Sequence, residues 1–451
     1  MQVEASRRSG NGLSVVDGVA FMLGVVFGVG IFKTPSLVAA NVAGELTFLA
    51  AWVAGGLITL AGALCYAELA SAHPHRGGEY HFLSRAYGRP LAVLFAWARG
   101  MVIQTGAIAA VAFVYGEYAQ ALLPLGGRGA DLHAGLVVIA LTALNMAGTR
   151  RASLGQRIFT LLTIFAIAAV AVAGFLVEET VAAASLPTRT DPTAAFGMAM
   201  VLVLLTYGGW SEAAYLAGEM KDVARTITRT LIFGTLAVVV TYGLFNLALL
   251  NAFGLEGLRE TQTPVPDLMR AVFGRAGEVA LALVVATMAV STLNATIATG
   301  ARAFHALGED VRPLAFLSRA DLKVSPPVAA LAIQGVLALV LILFGSLARD
   351  GFQTMVDFTA PIFWAFLLLV SLSLFLFRMR EPERARPFRV PLYPFTPLLF
   401  SAGCGYLLYA SLAYTGTGAL AGLAMVAAGV PLLFFITRRP QVAPLTETPA
   451  E

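Results

Sequence analysis

Two long apolar stretches of this chain each carry a pair of glycines at their centre. The first reads Val25-Val26-Phe27-Gly28-Val29-Gly30-Ile31-Phe32. The second reads Leu204-Leu205-Thr206-Tyr207-Gly208-Gly209-Trp210, about 180 residues further on. Hydrocarbon offers no water to free N–H and C=O groups, so backbone can leave a membrane helix only where protein or a cavity satisfies it. Interrupted helices at matching positions of two halves are the sequence sign of a secondary carrier's binding site.

The composition requires a membrane. Of the 451 residues, 58% are hydrophobic and 12% charged, with a mean hydropathy of +0.79. Soluble domains carry about 25% charged residues. The net charge of +4 is no nucleic-acid footprint, because the basic residues fall in short loops between apolar spans. Cys65 and Cys404 both lie in apolar spans, so no disulfide framework is expected. Arg7-Arg8 leads into a span too long for a signal-peptide core, and no cleavable leader is expected.

At about 20 mainly apolar residues per span, the chain divides into about twelve membrane helices. The first five fall at 14–39, 43–71, 88–121, 131–147 and 155–178, and the next five at 193–217, 229–253, 277–307, 327–346 and 352–378. A last pair falls at 393–415 and 417–437. Both tails and the even-numbered connections hold 22 Lys and Arg, and the odd-numbered connections hold 6. Lys33 and Arg99 lie within spans. This imbalance predicts that both termini face the cytoplasm in a multi-pass cell-membrane protein.

An unwound segment at Gly28-Val29-Gly30 would expose N–H groups at the start of a half-helix, whose positive dipole end favours a carboxylate. The alternative is close helix–helix packing through small residues. A break at Thr206 to Trp210 would free carbonyls suited to an ammonium group, with Tyr207 and Trp210 placed to pack over a ligand. Donors on one side and acceptors on the other fit an α-amino acid headgroup.

Charge at membrane depth is costly and often functional. Lys33 follows the first break and Glu212 the second, so either could line a vestibule, bind a proton or pair for structure. Glu68 and Arg99 fall near helix ends, where snorkelling is expected, and Glu117 lies near the other end. Ser291, Thr292 and Asn294 lie in the eighth span. The hydroxyls of Ser291 and Thr292 either bond their own helix or help hold sodium. His73 and His75 flank a Gly-rich turn without a third ligand, so no metal site is expected. No GxxxxGK[ST] loop occurs and no cluster of titratable groups suggests an enzyme.

These motifs, in order along the chain, resemble the amino acid–polyamine–organocation (APC) superfamily, and most of all its L-type and related bacterial amino acid transporters. The resemblance rests on Gly28 to Phe32 followed by Thr34-Pro35, on Ala67-Glu68-Leu69 with Pro74 to Tyr80, and on Tyr207 to Trp210 with Glu219 and Arg225. It rests further on Asn294, Thr296 and Arg302, and on Arg386 to Pro391.

The resemblance implies an all-α, LeuT-type fold. Helices one to five (14–178) would repeat as six to ten (193–378) with inverted topology. Two more helices (393–437) and cytoplasmic tails at 1–13 and 438–451 complete the chain. Helices one and six would be unwound at mid-membrane, with substrate held at Val26, Gly28, Val29, Gly30 and Ile31 and at Leu205, Thr206 and Gly208. Leu205 stands where relatives often place an aromatic gate. Thr163 stands where many sodium-independent members carry a lysine, so sodium coupling through Thr163, Ser291 and Thr292 is one expectation. Proton coupling through Lys33 or Glu212 is the other.

The expected function is secondary transport of neutral L-α-amino acids by alternating access, as an exchanger or an ion-coupled symporter. No organic cofactor and no nucleic-acid partner are expected. Lipid surrounds the chain, and the sequence leaves a partner subunit open. An amine or polyamine carrier is the alternative, for which only Glu212 and Glu117 offer a carboxylate. A membrane-embedded sensor or enzyme is the remote one.

Overall fold

The computed structural model describes residues 14–75, 77–148, 153–177, 192–220, 223–261, 263–319, 326–348, 350–414 and 416–436. The expected tails and the loop residues Arg76, Arg150, Arg151, Arg189, Lys221, Lys323 and Arg349 lie outside the described residues.

Helix α1, Val15–Val26, starts at a capping box in which Ser14 and Asp17 satisfy each other's backbone N–H groups. A 3-10 turn, Val29–Phe32, and a short helix α2, Thr34–Ala39, complete the first apolar stretch. Helices α3, Glu45–Ala72, and α4, Gly78–Tyr87, follow. Helix α5, Arg89–Leu122, contains a π-helical segment at Arg99–Gln104. Helices α6, Gly129–Met146, and α7, Ser153–Leu176, close the first half.

The second half opens with α8, Pro192–Thr206, and a 3-10 segment, Trp210–Glu219. Then come α9, Val223–Glu260, α10, Pro264–Asp310, α11, Val328–Ser346, and α12, Gly351–Arg380. Helices α13, Phe395–Tyr414, and α14, Gly416–Ala427, end the described chain.

Among the described residues, ten helical segments are long and apolar enough to cross a membrane. The shorter apolar helices Val15–Val26 and Leu162–Leu176 occupy the other two expected spans. The described residues are helical throughout apart from loops and one isolated bridge between Val311 and Ile436.

Two boundaries differ from expectation. Helical structure continues past the predicted end of the seventh span and begins before the eighth. Gly254 (φ 61°) and Gly274 (φ 65°) bend the chain there, so the connection itself is helical on both sides of 261–263. The loop after α3, read as a Gly-rich turn, instead carries α4.

Helix α3 packs through its glycines, which leave no room for a Cβ. Gly55 abuts Val203, Gly56 abuts Val239, and Gly62 abuts Phe400 and Trp210. Close backbone approach of this kind is how membrane helices associate where lipid supplies no hydrophobic drive.

Candidate functional site

The two broken stretches lie side by side. Helix α1 packs on the segment Trp210–Glu219, and α2 packs on α8. The first half of one stretch thus meets the second half of the other, as in an antiparallel pair. Thr34 and Thr206 join them, with hydroxyl oxygens 2.9 Å apart, and Thr206 also donates to Leu202 O.

Helical bonding stops at Val26. Phe27 leaves helical geometry (ψ 65°) and Gly28 is extended (φ −86°, ψ 176°). Gly28 opens the next turn without a side-chain cap. A helix start leaves its first N–H groups without intrahelical partners, and here these belong to Val29 and Gly30. On the other stretch, α8 ends at Thr206, where Tyr207 N and Gly208 N donate to Val203 O and Leu205 O. Gly209 (φ +99°) makes the turn that no L side chain adopts readily. A Cβ there would also come within 3.0 Å of Val25 Cγ1.

Gly28 and Gly30 differ from the packing glycines of α3. Apart from chain neighbours, a Cβ on Gly28 would approach nothing nearer than Val26 O at 3.9 Å. One on Gly30 would approach nothing nearer than Thr34 Oγ1 at 4.0 Å. Neighbouring helices, α10 among them, leave room for a Cβ at both.

The expected side chains have distinct places. Val26, Val29 and Ile31 are buried, and Leu205 is half-buried. Tyr207 is 1% exposed, with its ring against Trp52 and Tyr242 and its hydroxyl 3.2 Å from Trp52 O. That ring is part of the packing on α3. Trp210 packs edge-on against Tyr66 (4.9 Å) and near Phe400 (6.0 Å). Thr163 is buried on α7, which packs on α10, the helix of Ser291 and Thr292. Helix α10 also packs on the 3-10 turn Val29–Phe32. The three hydroxyl positions and the first break therefore sit on adjoining elements.

A charge cluster lies next to each glycine break. Lys33 Nζ lies 2.7 Å from Glu117 Oε1 and 3.8 Å from Asp350 Oδ2. Arg99 lies 3.0 Å from Glu79 Oε2 and 2.6 Å from Glu212 Oε1. Tyr66 also donates to Glu79 Oε1 at 2.8 Å. Arg99 and Glu68 therefore do not snorkel as the sequence suggests. Glu68 is buried, takes a bidentate pair from Arg378 at 2.8 and 2.6 Å, and accepts from Val390 N at 2.7 Å. A carboxylate out of water needs such partners more than it needs a helix end.

A small cavity of about 50 Å³ opens beside the Arg99 cluster. Its walls come from α5, from α12 and from Ser211 and Glu212 just past the second break. Among the described residues, no group of three or more His, Cys, Asp and Glu side chains is arranged to hold a metal. Sequence reading missed Tyr242, whose hydroxyl donates to Val26 O at 2.9 Å, because one tyrosine in an apolar helix carries no pattern. It also missed the π-helical turn at Arg99–Gln104.

A many-helix membrane bundle in which two neighbouring apolar helices each stop beside a glycine pair fits a membrane transporter. Residues 13–439 match the family model for amino acid permeases, and the chain belongs to that family. The serine/threonine exchanger SteT of Bacillus subtilis (strain 168) is 28% identical over 440 residues, covering 95% of this chain and 98% of its own. The b(0,+)-type amino acid transporter 1 of Mus musculus is 27% identical over 389 residues, covering 84% and 79%. The large neutral amino acids transporter small subunit 2 of Mus musculus is 25% identical over 452 residues, covering 96% and 83%. Amino acid transport across a membrane is thus the activity of this chain's family, and the relatives are named as transporters and an exchanger.

Proposed function

We propose that this chain exchanges neutral L-α-amino acids across the cell membrane by alternating access, with both termini in the cytoplasm. The substrate carboxylate sits at the N–H groups of Val29 and Gly30, where the dipole of the second half-helix begins. Its ammonium meets the terminal carbonyls of α8 around Leu205 and Thr206. The two breaks then lie at mid-membrane, where irregular backbone is tolerated only beside protein or a cavity.

One observation carries this reading. Neither Gly28 nor Gly30 has a positive φ and a Cβ at either would meet nothing nearer than 3.9 Å, so neither strain nor close packing asks for glycine. Approach of a ligand to the backbone does. The relatives named as amino acid exchanger and transporters agree with it. An amine carrier would need an uncommitted carboxylate, whereas Glu117 is engaged by Lys33 and Glu212 by Arg99. Exchange needs no ion site. If sodium drives transport, Thr163, Ser291 and Thr292 are its place, and if protons do, Lys33 and Glu212 are.

The test is Gly28→Val. A Cβ at Gly28 meets nothing nearer than Val26 O at 3.9 Å, so the variant is expected to fold with a melting temperature close to the parent's. Amino acid uptake into proteoliposomes falls at least tenfold. A folded Gly28→Val protein with normal uptake contradicts the site.

A further inference from the structure

We propose that Thr34 and Thr206 form a hydroxyl clasp that fixes the spacing of the two headgroup sites and so makes the carrier select α- over β-amino acids. This rests on the headgroup reading above and adds the residues that position its two ends.

Thr34 opens α2, one turn beyond the first break, and Thr206 is the last residue of α8 at the second. Thr34 Oγ1 donates to Gly30 O at 2.7 Å. Thr206 Oγ1 lies 2.9 Å from Thr34 Oγ1 and 2.8 Å from Leu202 O. Bonding the carbonyl four residues back is the ordinary habit of a threonine in a membrane helix. That habit does not account for the meeting of the two hydroxyls, which are 172 residues apart in sequence. Each helix would satisfy its own threonine without it. Because a hydroxyl both donates and accepts, Gly30 O, Thr34, Thr206 and Leu202 O make one continuous chain.

That chain runs from one headgroup site to the other. Gly30 supplies a donor N–H for the carboxylate, and its carbonyl ends the chain on that side. Thr206 carries the other end beside the carbonyls that meet the ammonium. Gly30 O is held a second time, by Lys33 N at 3.0 Å. Thr34 is 1% exposed and Thr206 8%, so little water competes for the bond between them. Ile31, Phe32 and Tyr207 around it are buried, and α2 packs on α8. The two sites are therefore held at one separation.

Separation is what distinguishes the substrates. An α-amino acid carries its ammonium and carboxylate on one carbon, and a β-amino acid inserts another, about 1.5 Å of bond. Contact at the breaks does not exclude the longer backbone, since a Cβ on Gly28 or Gly30 would meet nothing nearer than 3.9 Å. Two sites free to drift apart would take both classes. Two sites clasped together take the shorter one.

The experiment is competition against labelled alanine uptake in proteoliposomes holding the full chain, with alanine and its isomer β-alanine as competitors. The isomers share their atoms and charges and differ in spacing. In the unaltered protein alanine competes at least about thirtyfold better, because a misplacement of about 1 Å in a pre-organised site costs up to about a hundredfold. Thr34→Val keeps the shape and removes the hydroxyl, and the ratio falls at least about fivefold, the worth of one hydrogen bond. Thr34→Ser returns the hydroxyl and the parent ratio. Thr206→Val lowers the ratio as Thr34→Val does, and the double variant lowers it no further, because the two residues share one bond.

A parent that takes β-alanine as readily as alanine overturns the clasp. So does an unchanged ratio in Thr34→Val and Thr206→Val, even where both competitors weaken, since a merely structural role moves them together. A Thr34→Ser ratio as low as that of Thr34→Val overturns it too. An unchanged ratio beside a Gly28→Val protein that has lost uptake removes the clasp and leaves the headgroup site. Normal uptake by Gly28→Val removes both, as does alanine that fails to compete at all. Should Thr34→Val fail to insert, Thr206→Val breaks the same bond from the other side and decides the question alone.

Discussion

The Tyr242 hydroxyl donates to the Val26 carbonyl at 2.9 Å, at the residue where α1 stops being helical. The same carbonyl accepts from Gly28 N at 2.7 Å. A released carbonyl in a membrane needs a partner, and α9 supplies it across 216 residues of sequence. Tyr242 is fully buried, with its ring against Phe27, Trp52 and Tyr207. Tyr242→Phe keeps that packing and removes the donor. The expected loss is about 1 kcal/mol, since Gly28 N still bonds Val26 O. It appears as a small drop in melting temperature, with a several-fold rise in the KM for uptake. An unchanged KM would separate this hydroxyl from the substrate site.

Lys33 is an ammonium held between two carboxylates, with side-chain exposures of 6% for Lys33, 27% for Glu117 and 32% for Asp350. Lys33→Met leaves Glu117 without its partner in a largely dry setting. Breaking such a pair costs about 2–4 kcal/mol. The double variant Lys33→Met/Glu117→Leu recovers more than half of that loss, because no uncompensated charge remains at Glu117. Melting curves of the two proteins in detergent check this, and a double variant less stable than the single contradicts it.

Glu68 fastens the segment that leads into α13. It takes Arg378 on both oxygens and Val390 N on one, with Arg386 Nε 3.5 Å away. Glu68→Gln loses the charge that two guanidiniums face, and the expected cost is about 2–4 kcal/mol. Trypsin then cuts after Arg389 at least tenfold faster than in the parent. Equal cleavage rates would show that the segment is held by other contacts.

The loop beyond α3 is sensitive to acid. Burial, and then the nearby Arg384 and Arg85, push the His73 imidazole down to about 4, with Glu381 opposing. Burial, then His75, Arg85 and Arg384, push His81 down to about 4 as well. An unfolded histidine takes its proton near pH 6.5. Between pH 6.5 and pH 4 the unfolded chain therefore binds protons that the folded one refuses. Stability is intact above pH 6.5 and is lost progressively as pH falls through 6.5 towards 4. The melting temperature drops over that window, and the variant His73→Gln/His81→Gln flattens the drop. A parent curve flat from pH 7 to pH 4.5 contradicts the assignment.

Hydropathy alone made the bundle legible, because each span must offer about 20 apolar residues to lipid. The glycines marked both breaks to within two residues: helix stops at Val26 before Gly28, and at Thr206 before Gly208. What escaped was everything decided by distant partners. Glu68 and Arg378 are 310 residues apart, and Arg99 and Glu212 are 113 apart, so no local pattern joins them. Their positions near helix ends pointed to water instead. Helix α4 was hidden by the glycines around it, and the helical turns beyond Gly254 by their charges. The π-helical turn at Arg99–Gln104 was illegible because such a turn has no residue signature.

The most direct test of the account is counterflow. Purified protein is placed in liposomes loaded with unlabelled serine, and entry of labelled serine is followed with sodium inside and outside, and again without any. Saturable entry that depends on internal amino acid, in both conditions, is the predicted result. No saturable entry of serine or of any other neutral amino acid would contradict it.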